Sequence, residues 1–77
     1  DVDGLSVEYC PNTGTPVAGG LSFNQAVYLL QEVVRSGRRI IGFDVVEVVA
    51  RPESRIDAST GARILYKLCG LTLKSDL

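Results

Sequence analysis

One run in the middle of the chain restricts the fold more than any other: Ile40-Ile41-Gly42-Phe43-Asp44-Val45-Val46-Glu47-Val48-Val49. It is rich in β-branched residues and nearly continuous in apolarity. That pattern predicts a strand over 39–49, covered on both faces as in a parallel sheet. Asp44 and Glu47 interrupt it. A bare carboxylate inside such a strand is costly unless it is paired or hydrogen-bonded. Each therefore needs a partner or lies beyond the covered part. Three positions apart, the two cannot share a face of a regular strand.

A helix is predicted on each side of this run. Ser22 followed by Gln25 is a capping-box pattern, with Leu21 and Ala26 at the staple positions. Phe23, Ala26, Val27, Leu30, Val33 and Val34 then recur at helical spacing and form one apolar stripe. Gly37 is placed to end that helix, with Arg35 and Arg38 near its negative pole. After the polar stretch 51–55, Asp57 is a candidate N-cap for a second helix from Ala58 to Cys69, extending towards Lys74. Ala58, Ala62, Leu65, Leu68 and Cys69 supply its expected apolar side, with Ile64 on the flank. Gly70 is a point where it could end or kink.

Ahead of the first helix, Asp1-Val2-Asp3 reads as the end of another strand. Two carboxylates two apart point the same way on extended backbone. Such a pair calls for neutralisation by a proton, a cation or water, and hard divalent cations suit carboxylate oxygens. From Gly4 to Leu21 no period is visible, and Pro11, Pro16 and the Gly19-Gly20 pair punctuate the stretch. A connection of this length is often functional, and its prolines predict a defined path. The predicted order is thus β-α-β-α. A right-handed crossover brings the C-terminal ends of both strands to one edge of the sheet. Ligands bind at that edge in open α/β folds. Asp1, Asp3 and Glu47 are expected to collect there, with the loop beside them.

The chain has 77 residues, room for one small domain at most. A chain of this size buries only about 60% of its unfolded surface. Two strands and two helices leave apolar faces and strand edges open, so more chain or a partner is expected to cover them. No Met is present and the sequence opens directly on its acidic motif. It is therefore expected to form the C-terminal part of a longer single domain, the N-terminal part being absent. A net charge of −1 and the lack of a basic face argue against nucleic acid as a partner. No run approaches the length of a membrane span. Cys10 and Cys69 lack zinc-site spacing and are expected to be reduced thiols of a cytoplasmic protein. With no His in the chain, Ser-His and Cys-His nucleophilic catalysis is absent from within it.

Three blocks carry a resemblance. Asp1-Val2-Asp3-Gly4-Leu5, Thr13-Gly14-Thr15-Pro16-Val17-Ala18-Gly19-Gly20-Leu21 and Gly42-Phe43-Asp44-Val45-Val46-Glu47-Val48, in that order, resemble the C-terminal portion of the ureohydrolases. That superfamily includes arginase, agmatinase, guanidinobutyrase and formimidoylglutamase. Asp3-Gly4-Leu5 and Thr15-Pro16-Val17 are most like arginase. The resemblance extends into the closing helix through Gly61-Ala62-Arg63-Ile64-Leu65-Tyr66-Lys67-Leu68. It implies a three-layer α/β/α fold with a parallel sheet, and two manganese ions bridged by a hydroxide that attacks a guanidinium or formimino carbon. It further implies that Asp1 bridges the metals, Asp3 binds one of them and Glu47 holds the guanidinium. Thr15 would line the substrate pocket, and Asp44 would support the metal ligands or the strand end. Trimers or hexamers are common in the superfamily. Its remaining metal ligands, histidines among them, belong to earlier motifs that this sequence lacks. Ser6-Val7 also departs from the family's usual Asp-Pro, so the loop is expected to start on a different path.

Plain structural roles stay open for each of these residues. Asp1 and Asp3 can be solvated carboxylates, Glu47 a salt-bridged strand end, Asp44 a hydrogen-bond partner of loop backbone and Thr15 a turn residue. Two other functional classes remain. One is a degenerate homologue acting as a structural or regulatory subunit. The other is a phosphate-binding module using the Gly14–Gly20 loop, which matches neither phosphate-loop nor dinucleotide spacing.

Overall fold

The computed structural model describes residues 1–77. Its regular elements are two α-helices, α1 (Phe23–Arg35) and α2 (Ile56–Ser75), preceded by 3-10 turns at Val2–Gly4 and Val7–Tyr9. No strand is formed, so the expected β-α-β-α order is not realised in these residues. A strand is defined by the ladder it shares with a neighbour. Asp1–Asp3, the expected neighbour, curls into the first 3-10 turn. What remains between the two segments is a single backbone bond, Val2 N–H to the Val46 carbonyl at 3.1 Å. Consequently the run 40–49 lies largely open, with Ile41 93% exposed and Phe43, Val46 and Val48 partly so.

Local chemistry builds α1 as its sequence predicts. The Ser22 hydroxyl accepts from the Gln25 N–H at 3.0 Å, and the Gln25 side chain accepts from the Ser22 N–H at 2.9 Å. Both arms of the capping box are therefore made. Val27 is buried and Phe23, Ala26, Leu30 and Val34 are half-buried, so the apolar stripe faces inward except at Val33, which is exposed. Beyond the helix, Gly37 adopts φ +86°, the left-handed conformation that a glycine terminator accommodates.

α2 differs from expectation in start and face. It begins at Ile56, and Asp57 lies in its first turn instead of capping it. It runs through Gly70 without ending there and reaches Ser75, in line with the expected extension towards Lys74. Its inward face is Asp57, Thr60, Gly61, Ile64 and Leu68, whereas Ala58, Ala62, Leu65 and Cys69 are exposed. The physical reason is polar. Asp57 and Thr60 hydrogen-bond to the long loop and turn the helix so that part of its apolar side faces out.

The loop between Gly4 and Leu21 has a defined path, as expected. Its ends run side by side, with Leu21 N–H to the Gly4 carbonyl at 3.1 Å and Ser6 N–H to the Leu21 carbonyl at 2.8 Å. Gly20 sits in that crossing. A Cβ there would come within 2.7 Å of the Leu5 carbonyl carbon and 2.8 Å of the Ser6 nitrogen. Only glycine fits so close to backbone. Beneath the loop, Val2, Leu5 and Cys10 form the small buried cluster. The Cys10 thiol points at the carbonyl of Val2, 3.3 Å away. Cys10 and Cys69 are both free thiols, the first buried and the second exposed. No helix is long and apolar enough to cross a membrane.

Candidate functional site

Asp1 and Asp3 flank Val2, whose side chain is buried in the cluster below and fixes the turn. Leu5 N–H bonds to the Val2 carbonyl at 3.0 Å, closing that turn. Because the backbone is helical and not extended, positions 1 and 3 are no longer forced onto one face. The expected strand-end pair is thus replaced by two carboxylates leaving a turn, Asp1 exposed and Asp3 half-buried.

The loop reaches back to this turn. Thr15 donates its hydroxyl hydrogen to Oδ2 of Asp3 at 2.8 Å. Two of the sequence-predicted site residues are therefore in direct contact, and one oxygen of Asp3 is oriented by a neutral donor. Thr13, two residues earlier and buried, donates to the backbone carbonyl of Glu47 at 3.0 Å. Glu47 has φ +67° and is the only non-glycine residue with a positive φ. This conformation is uncommon for a residue with a side chain, and it tends to persist where neighbours enforce it. Glu47 itself is exposed.

Asp44 is also exposed, and with Asp1 it edges a cavity of about 260 Å³. The rest of that cavity is mainly apolar, lined by residues such as Leu5, Leu29, Val45 and Leu68. Its walls come from the turn, α1, the 40–49 run and α2. It is a gap between packed elements and offers a guanidinium little beyond the two carboxylates at its edge.

No three acidic or cysteine side chains come together closely enough to hold a metal ion. In kind, the carboxylates of Asp1 and Asp3 suit a hard divalent cation. In number they do not complete a site.

Asn12, Thr13 and Thr60 had no role in the sequence-based site, and Asp57 was expected only as a cap. Asp57 is fully buried. Its carboxylate accepts from the Asn12 N–H at 3.0 and 3.2 Å and from the Asn12 side-chain amide at 3.0 Å. One turn later, Thr60 donates to the Tyr9 carbonyl at 2.7 Å. Gly61 lies against the other side of the site, where a Cβ would approach Cγ2 of Val48 to 2.8 Å. The start of α2 thus braces both the loop and the residue after Glu47. The signal in the sequence is the set Asp57, Thr60 and Gly61 at one-turn spacing.

Residues 1–70 match the sequence model of the Arginase family. Over 48 residues, 62% of this chain, the sequence is 46% identical to arginase-1 of Oryctolagus cuniculus and 44% identical to that of Homo sapiens. Over 72 residues, 92% of this chain, it is 39% identical to N(1)-aminopropylagmatine ureohydrolase of Thermus thermophilus. The matched stretch spans 15% of the arginase-1 chains and 24% of the Thermus protein. No solved structure matches at a significant level. The chain belongs to the Arginase family. Membership implies an α/β fold class, to which these residues contribute two helices and the open β-branched run.

Proposed function

We propose that these residues serve, as the C-terminal part of a single ureohydrolase domain, in a binuclear manganese hydrolase that cleaves a guanidino C–N bond. Arginine, giving ornithine and urea, is the first choice of substrate. The observation that carries the proposal is the family match across residues 1–70, which contains Asp1, Asp3 and Glu47 together. Asp1 and Asp3 supply carboxylate oxygens to the manganese pair, and residues outside these 77 complete it. The pair, when bound, lowers the pKa of a shared water so that hydroxide is available near neutral pH. Thr15 orients Asp3. Asp44 steadies the edge of the site beside Asp1. Glu47 receives the cationic guanidinium, whose planar fork of N–H donors matches a carboxylate. In the full domain the 40–49 run becomes a strand of the parallel sheet, which accounts for its β-branched composition and its exposure here.

A second substrate is favoured by one observation. The relative matched over most of this chain is named for aminopropylagmatine. An agmatine-type amidine is therefore the runner-up, with formimidoylglutamate behind it. A degenerate homologue acting as a structural or regulatory subunit is the non-catalytic alternative. The deciding experiment gives the full-length protein manganese with arginine, agmatine, aminopropylagmatine or formimidoylglutamate in turn, and measures urea or formamide. Urea from arginine supports the first choice, and urea from agmatine or aminopropylagmatine alone moves the assignment to the runner-up. No product from any of the four supports the non-catalytic alternative.

A further inference from the structure

Asp57 is a fully buried carboxylate that the proposed chemistry leaves without a task. All three of its hydrogen bonds go to one residue, Asn12. A carboxylate spent on a single loop residue, far apart in sequence, fixes that residue in both position and rotation. The next residue, Thr13, is buried and holds the Glu47 carbonyl. Glu47 in turn has the left-handed backbone that a side-chain-bearing residue rarely adopts unaided. The contacts thus form one line from α2 to Glu47 through the loop.

We propose that Asp57 is a positioning residue for Glu47: it fixes Asn12, so that Thr13 holds Glu47 in its left-handed conformation and aims its carboxylate. The proposal rests on the guanidinium-binding role assigned to Glu47 above. Two features favour it over simple anchoring of a surface loop. The grip falls on the residue adjacent to Thr13. On the same face of α2, Thr60 holds the Tyr9 carbonyl and Gly61 leaves room for Val48 to pack close, so the helix meets the chain on either side of the same line.

The test uses the full-length protein with arginine as probe. Asp57→Asn puts an amide where two donors of Asn12 need acceptors, and Thr13→Val removes the hydroxyl while keeping the shape. Each is expected to lower kcat/KM by about 10- to 100-fold, mainly through KM, as misplacement of a binding group does. Thr13→Ser is expected to restore it. The double variant should be no worse than the weaker single one, because both act along one line. Crystal structures of both single variants should show Glu47 leaving positive φ. If Asp57→Asn does not fold, Asn12→Ala, which removes only the side-chain arm of the clamp, takes its place. The proposal is overturned if the single variants lose thermal stability but keep KM, if their effects multiply, or if Glu47 keeps its conformation in them. Glu47→Gln separates the two layers. An unchanged KM there removes the guanidinium role, while the φ of Glu47 in the other variants still decides the positioning.

Discussion

Thr15 and Asp3, twelve residues apart, are joined by a hydrogen bond of 2.8 Å from the threonine hydroxyl to Oδ2 of the aspartate. The bond ties the tip of the long loop to the acidic turn. It leaves the other Asp3 oxygen free of Thr15 and sets the plane of the carboxylate. Loss of such a supporting contact commonly weakens metal binding by about 10- to 100-fold. Thr15→Val in the full-length protein should weaken manganese binding by that order, measured by calorimetric titration, while Thr15→Ser retains it. Unchanged affinity in Thr15→Val contradicts the role of Thr15 in orienting Asp3 for the metal.

Gly20→Ala should destabilise the protein, because the added methyl meets backbone atoms of Leu5, Ser6 and Gly4 at 2.7 to 2.9 Å. Backbone atoms cannot swing aside as a side-chain end can. The cost should fall at or above the roughly 1–3 kcal/mol usual for overpacking. Gly14→Ala, with nothing within 4 Å of the added carbon, is the control and should be near neutral. Urea midpoints for the two variants give the comparison.

Glu47→Asn should separate stability from binding. Asparagine tolerates positive φ better than glutamate does, so the φ +67° position should become less strained. A gain on the order of 1 kcal/mol is the expected scale. The carboxylate is lost with it, so KM for arginine should rise steeply. A variant that loses stability contradicts the strain, and one that keeps KM contradicts the binding role.

Burial, and then the negative charges of Asp57, Asp3 and Glu8, push the Cys10 thiol above its ordinary pKa. The folded thiol therefore holds its proton to higher pH than the unfolded one. Its contribution is complete below the unfolded pKa and is lost as the pH rises through the raised, folded value. Stability should fall on the alkaline side, and Cys10→Ala should flatten that fall in urea melts taken across alkaline pH. Under native conditions iodoacetamide should label the exposed Cys69 and spare Cys10. Equal labelling rates contradict the buried placement.

Residues whose structure depends on near neighbours could be read directly. Ser22, Gln25 and Gly37 lie within or beside α1, and their roles follow from backbone groups a few positions away. The 40–49 run could not be read in the same way. Its composition is that of a buried strand, yet a strand needs a partner, and Asp1–Asp3 curls into a turn. Ala58, Ala62 and Cys69 suggested the wrong face for α2, because apolar spacing says nothing of a buried Asp57 bonded to Asn12 across 45 positions. The left-handed Glu47 was equally hidden, since its neighbours Val45, Val46, Val48 and Val49 favour extended backbone. Of the site, the residue types were visible, but the Thr15–Asp3 and Thr13–Glu47 contacts arise only once the loop is folded.

An isolated chain of these 77 residues should release no urea, because two carboxylates do not make a manganese site. The most direct measurement is therefore made on the full-length protein. It is stripped with a chelator, resupplied with manganese in steps, and assayed for urea from arginine and from agmatine. Activity that is absent after stripping and returns to saturation at two manganese per chain is the predicted result. Urea release that is unchanged by stripping contradicts the assignment as a binuclear manganese ureohydrolase, and no urea from either substrate at any manganese level contradicts arginine and agmatine as its substrates.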